Sequence, residues 1–199
     1  MKKYYLLVLV ITGLFIAGCA AGVKRVDTKE VIDLSGRWND TDSRLVSEEM
    51  IKDALVRPWL ESFKSTHNGK LPVVIVGTVR NLSYEHIAVQ TFVKDLERAL
   101  INSGEVAFVS GSGERGELRE ERRDQASHSS EVTAKPEGEE IGADFMLKGS
   151  INSIVDKIEG EAVVFYQVNL ELHNIETNRV VWIGEKKIKK VVKRRHLGL

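Results

Sequence analysis

The sequence predicts an α/β domain: a mixed sheet whose first half is a β-α-β unit and whose second half is an antiparallel meander, with helices packed on the sheet. Three observations predict it. Pro72-Val-Val-Ile-Val-Gly-Thr-Val79 is a continuous apolar, β-branched run, as in strands covered on both faces. Val89, Phe92, Val93, Leu96, Ala99 and Leu100 follow at helical spacing. Val164, Tyr166, Val168, Leu170 and Leu172 then alternate with Gln167, Asn169, Glu171 and His173, the period of an antiparallel strand with one wet face.

A chain of 199 residues suits one such domain with extensions. The composition is 42% hydrophobic and 29% charged with a mean hydropathy of −0.18, that of a globular domain and not of a polytopic membrane protein. The extensions begin at Met1. Lys2 and Lys3 precede Tyr4 to Gly18, an uncharged, mostly apolar run of 15 residues with the layout of a secretory signal. As a helix at ~1.5 Å per residue it would reach about 22 Å, short of a ~30 Å hydrocarbon core. Residues 1–18 are therefore expected to be a signal peptide.

This run ends Ile16-Ala17-Gly18-Cys19, which resembles the bacterial lipobox. Cys19 is the only cysteine, so an intramolecular disulfide is excluded and lipidation is the expected role. Acylation there would anchor the chain without a spanning helix. Ala20, and not Asp, follows the cysteine; by the sorting rule of enterobacterial lipoproteins this implies the outer membrane, facing the periplasm. Without residues 1–18 the chain carries 27 basic against 29 acidic residues, so no basic field advertises nucleic acid.

Residues 19–33 read as the lipidated N-terminus and a short polar tether, and Ala20 to Asp33 extended at ~3.4 Å per residue reaches about 50 Å. The folded domain is expected over 34–192, with a basic tail at 193–199. It opens on Leu34-Ser-Gly-Arg-Trp-Asn-Asp-Thr-Asp42, where a Trp stands among turn-formers. A helix then starts at Asp42, with Asp42 or Ser43 as N-cap and Glu48 and Glu49 in its early turns. Val46, Met50 and Ala54, and Ile51, Leu55 and Trp59, recur at i+4, and the stripe continues to Leu60 and Phe63. Pro58 is expected to restart the helix near Arg57, and Thr66 to Lys70 to form a loop.

After the strand at 72–79, the helix from Val89 closes at Gly104, and Glu105-Val-Ala-Phe-Val109 completes a right-handed β-α-β unit. Residues 111–140 hold few apolar side chains. Glu114 to Gln125 reads as an exposed helix laced by opposite charges, and Ser127 to Ser130 with Pro136 and Gly138 as a mobile loop. Phe145, Leu147 and Ile151 mark the next strand, Asn174 to Asn178 a turn, and Arg179 to about Lys190 the last strand, carrying Trp182.

Four motifs invite chemistry. Gly111-Ser-Gly-Glu-Arg-Gly116 matches G-x-G-x-x-G, but Glu117 to Asp124 is too polar to pack on a sheet and no acid-ended strand follows about 20 residues on, so it reads as a loop and not a dinucleotide site. Asp40-x-Asp42 fails the calcium-loop signature because Arg44 and Ile51 take ligand places; Asx-turns and a cap explain it. The five histidines, His67, His86, His128, His173 and His196, are dispersed, and no nucleophile elbow or H-E-x-x-H occurs, so no enzyme is expected. Lys186 to Arg195 carries seven basic residues, a set suited to anionic lipid head groups or an acidic partner, and read in preference as guards of an edge strand and its tail.

The segment Asp33-Leu-Ser-Gly-Arg-Trp-Asn-Asp-Thr-Asp-Ser-Arg-Leu-Val-Ser-Glu-Glu-Met-Ile51 resembles the opening of the folded domain in the LpoB family, outer-membrane lipoproteins that activate a bifunctional penicillin-binding protein. Residues 73–81, 115–125 and 141–151 agree in kind and order, and are shared with envelope folds resembling the TolB N-terminal domain and the curli-secretion lipoprotein. The resemblance implies a non-catalytic, TolB N-terminal-like domain hung from the outer membrane, which binds a regulatory domain of the synthase and stimulates peptidoglycan synthesis. It implies no cofactor, metal, nucleic acid or small-molecule substrate. Arg and Trp are enriched at protein interfaces, so the candidate contact residues are Arg37, Trp38, Asn39, Asp40, Asp42 and Arg44; the other reading of Trp38 is a lid on the first helix. Enterobacterial members carry a long proline-rich tether, whereas Ala20 to Asp33 has no proline. The alternative function is a structural or assembly lipoprotein of the outer membrane.

Overall fold

The computed structural model describes residues 22–111, 113–136 and 138–193. Cys19 and the signal lie outside the described residues, as do residues 194–199 of the basic tail. The chain divides into two compact units, Met1–Val31 and Ile32–Leu199. In the first, a turn at Asp27 closes through Glu30 N–H to the Asp27 carbonyl at 3.0 Å.

The second unit opens with helix α1 (Asp40–Leu55) and helix α2 (Pro58–Thr66). Helix α1 starts two residues before the expected Asp42, because Asn39 and Asp42 form a reciprocal capping box. The Asn39 side chain accepts from Asp42 N–H at 3.1 Å, and the Asp42 carboxylate accepts from Asn39 N–H at 3.0 Å. Asp42 is thus the third residue of the helix and not its cap. Pro58 restarts the chain as expected, sitting at the first turn of α2, where its missing N–H leaves no bond unmade. Asn68 and Gly69 turn the chain with positive φ before strand β1 (Val73–Leu82).

Helix α3 (Val89–Ser103) ends at Gly104, whose φ of 68° is the left-handed cap a glycine supplies without strain. Strand β2 (Ala107–Phe108) is only 2 residues long, shorter than the five expected, and pairs in parallel with the start of β1. Strands β3 (Phe145–Ile158), β4 (Glu161–Asn174) and β5 (Val180–Lys193) form the meander. The sheet runs β2-β1-β3-β4-β5, with β1 parallel to β2 and β3 and the last three strands antiparallel. The mixed α/β class and its two halves are as the sequence predicts. Strand β1 departs from two-sided burial. Val74, Ile75 and Val76 are buried, but a register shift between Val76 and Val79 leaves Thr78 and Arg80 exposed.

The core lies between one sheet face and helices α1 to α3. It is built on Val46, Ile51, Phe92, Leu96, Leu147, Ile151, Val168 and Leu170, with Trp59 and Phe63 set edge-on to Phe145. Helix α4 (Arg115–His128) buries no residue, as expected for an exposed helix. The expected lacing within it is corrected. Arg115, Arg119 and Arg122 all pair with Glu140, far along the chain, and no Arg of α4 pairs with an acid of α4 among the described residues. The physical reason is spacing, since residues three and four apart in this helix mostly carry the same sign.

Candidate partner-binding surface

The candidate contact residues fall on the lead-in segment 33–39 and the first turn of α1, and strand parity decides what holds them. Trp182, Gly184, Lys186, Ile188, Lys190 and Val192 share one face of β5, the face that looks toward α1. Two lysines therefore point inward from an edge strand, a placement that discourages pairing with another sheet. Lys186 reaches Glu49 at 2.5 Å. Lys190 is more deeply set, with its side chain 11% exposed against 8% for Asp42.

The Lys190 ammonium has three protons and three acceptors: Asp42 Oδ2 at 2.6 Å, Asp33 Oδ1 at 2.9 Å and the Arg37 carbonyl at 3.1 Å. Burial presses its pKa down, yet the hydrogen bonds it donates to Asp42 and then Asp33, with their attraction, outweigh this and leave it above the usual lysine value. Asp33 is held below the usual carboxylate range by hydrogen bonds first from Lys190 and then from Asn39, whose Nδ2 lies at 2.6 Å. Asp33, read from sequence as the last residue of the tether, is thus tied into the domain.

A second knot lies beside the first. Tyr166 is fully buried on β4, and its hydroxyl donates to the Glu85 carboxylate and lies 3.0 Å from the Gly36 carbonyl. Burial, and next the hydrogen bond to Glu85, push the phenol well above its usual pKa, so it stays a donor at every physiological pH. Glu85 also accepts from Trp38 N–H at 3.1 Å. The Trp38 ring is half-buried and sits edge-on to Phe92 at 5.9 Å and Tyr166 at 5.6 Å. Gly36 has no room for a side chain, because a Cβ there would strike the Val192 and Val164 methyls.

These contacts sort the six candidates. Asn39 and Asp42 face inward as cap and counter-ion, and Trp38 lids α3 and β4. Arg44 is half-buried along α1 and lies 3.7 Å from Glu48. Arg37 and Asp40 are exposed, and of the nearby apolar residues in sequence Leu34 and Leu45 are 94% and 46% exposed. Sequence reasoning missed Lys190, Tyr166 and Glu85. The signal for Lys190 was present, since it occupies an inward parity position between Ile188 and Val192. Glu85 sits in an irregular stretch with no period to flag it.

The model of the family described as the peptidoglycan-synthase activator LpoB matches residues 42–188. The chain belongs to the LpoB family. Among solved structures, the LpoB C-terminal domain from Salmonella enterica is 15% identical, covering 75% of this chain and 99% of that one with a TM-score of 0.45. The LpoB C-terminal domain from Escherichia coli is 15% identical, covering 72% and 98%, with a TM-score of 0.41. Lipoprotein GNA1162 from Neisseria meningitidis is 11% identical, covering 63% and 88%, with a TM-score of 0.39. No curated protein matches this LpoB family member. The family is one of regulatory activators of peptidoglycan synthases, and its matched span runs from the third residue of α1 through most of β5.

Proposed function

We propose that the chain is an outer-membrane lipoprotein, acylated at Cys19 and facing the periplasm, that binds the regulatory domain of a bifunctional penicillin-binding protein and stimulates peptidoglycan synthesis. The observation that carries this is the family match across residues 42–188. The role is non-catalytic: binding favours an active state of the synthase, and the shift can be no larger than the difference in affinity for its two states.

The site geometry gives the reading a shape. Lys190 and Tyr166 fasten segment 33–39 to β5 and β4, so the pull of the anchor enters the domain at Asp33. The free tether is then residues 20–32, about 45 Å extended at ~3.4 Å per residue. Such a reach requires a synthase that projects outward or a narrow envelope. The exposed residues of the lead-in, Arg37 and Asp40 with Leu34 and Leu45, supply a mixed polar and apolar contact patch. The test is binding of the chain lacking residues 1–19 to each of the organism's own bifunctional penicillin-binding proteins. Saturable binding weakened at least tenfold by Arg37→Ala with Asp40→Ala, in a variant that still melts as the parent does, would support both partner and patch. No binding to any of them would overturn the reading in favour of a structural lipoprotein.

A further inference from the structure

Helix α4 is sorted by the sign of its charges. At 100° per residue Arg115, Arg119 and Arg122 fall in one stripe with Arg123 beside it, while Glu117, Glu120, Glu121 and Asp124 fall on the opposite side. Most charged neighbours at three and four residues are consequently like-charged: Arg115 with Arg119, Arg119 with Arg122 and Arg123, Glu117 with Glu120 and Glu121, Glu120 and Glu121 with Asp124, against Glu120 with Arg123 and Asp124 with His128 of opposite sign. Like-charged pairs destabilise a helix instead of supporting it. A helix that buries no residue and whose arginine stripe repels itself gains support from opposite charge outside it.

Glu140 supplies that charge. Its carboxylate takes the Arg119 fork at 3.0 Å through both Nε and Nη2, Arg122 Nη1 at 2.6 Å, and Arg115 Nη1 more distantly at 3.9 Å. Among the described residues it is the one acid within ion-pairing distance of the stripe, so a single carboxylate faces three guanidiniums. Arg115 Nε is buried with no hydrogen-bond partner among the described residues, a donor removed from water with nothing to bond. Glu140 sits in a concavity that Arg119, Arg122, Arg123 and Gly138 also line. Gly138, at φ 79°, turns the chain just before it.

We propose that the Arg115–Arg119–Arg122 stripe is an oxyanion-binding site, shaped for a carboxylate or phosphate group, and that Glu140 is the resident counter-ion such a ligand displaces. The planar fork of Arg119 already holds a carboxylate in bidentate fashion, which is the geometry arginine offers to carboxylates and phosphates alike. The uncompensated charge around one carboxylate is what an incoming oxyanion would satisfy, with Arg119, Arg122 and Arg123 lining its concavity and Arg115 behind them at 3.9 Å from Glu140. This site is independent of the synthase reading and of segment 33–39.

The test follows arginine side-chain Nε–Hε and backbone amide NMR signals of the full chain in a non-ionic detergent, titrated separately with glutarate and inorganic phosphate. In Glu140→Gln, which empties the site of its resident charge, affinity for at least one anion rises tenfold or more. The shifts centre on Arg115, Arg119 and Arg122, and which anion binds tells the ligand's source. Adding Arg119→Gln to that variant abolishes the gain. Should Glu140→Gln loosen α4, an anion that restores its amide signals supports the site and one that does not overturns it. Equal, weak affinity in parent and Glu140→Gln, or shifts spread over surface lysines, would also overturn it.

Discussion

Lys190→Met isolates the contact that fastens the lead-in segment. Methionine keeps the length and apolar stem of the lysine and deletes its charge and three donors. Asp42, 8% exposed, then faces its buried surroundings without a cation, and its remaining bond is the one from Asn39 N–H. Removing one member of a buried ion pair costs about 3–5 kcal/mol. Asp33, 48% exposed, adds about 0–1 kcal/mol because water takes over its solvation. The sum is a large share of the ~5–15 kcal/mol of a typical domain. At about 2–4 °C per kcal/mol for this size, the melting temperature should fall by roughly 6–24 °C. The assay is urea and thermal denaturation at pH 7 on Lys190→Met, Asp42→Asn and the double variant. Coupling is expected: the double variant should recover much of the loss, since the uncompensated charge goes with its partner. A Lys190→Met loss under 1 kcal/mol, or strictly additive losses, would refute the reasoning. The pH dependence has a definite sign, because the folded Lys190 pKa lies above its ordinary value. The contribution is whole below the usual lysine range near ~10.4 and is lost as pH rises through the folded value.

Three further outcomes are expected. Gly36→Val forces a side chain against Val164 and Val192 and should cost about 1–3 kcal/mol, with Trp38 fluorescence shifting as segment 33–39 lifts; an unchanged spectrum and melting curve would count against the close approach. Tyr166→Phe removes the hydroxyl that bonds Glu85 and should destabilise by about 1–3 kcal/mol, checked by chemical denaturation, and a neutral result would mean water substitutes for the phenol. Glu140 is held to about 2, first by its hydrogen bonds from Arg119 and then by those from Arg122. Its support of α4 is therefore present above the ordinary carboxylate value near ~4.3 and is lost as pH falls toward 2. Hydrogen exchange across α4 should speed up over that window in the parent and show no such step in Glu140→Gln.

The sheet, the three core helices and their caps were legible because period and punctuation agree: β-branched runs, i+4 stripes, Pro58 at a helix start, Gly104 at a helix end. Strand β2 was over-read, because Glu105 to Val109 has strand composition but only two residues find β1. The start of α1 was missed by two residues, since Asn39 and Asp42 are both good caps and only the reciprocal bond chooses between them. Helix α4 is expected over Glu114 to Gln125 and runs from Arg115 to His128, so that Ser127 and His128, expected in a loop, lie in its last turn. Opposite charges in a segment are visible in the sequence, but whether they meet depends on their spacing and on Glu140, 18 residues beyond Arg122. Among the contact candidates, Asp42 and Trp38 face inward because Lys190 and Tyr166 come to them from β5 and β4, and no local pattern announces an interaction across about 130 residues or more.

Activation of a peptidoglycan synthase by this chain, as proposed, is read out by glycan polymerisation. Lipid-linked precursor is supplied to each of the organism's bifunctional penicillin-binding proteins with and without the chain lacking residues 1–19, and polymerised glycan is followed over time. A faster rate is expected for at least one synthase, saturating with added chain and lost in the Arg37→Ala, Asp40→Ala variant that still folds. Unchanged rates for every synthase at concentrations where the chain is folded would contradict it, leaving an LpoB family fold put to another task in the envelope.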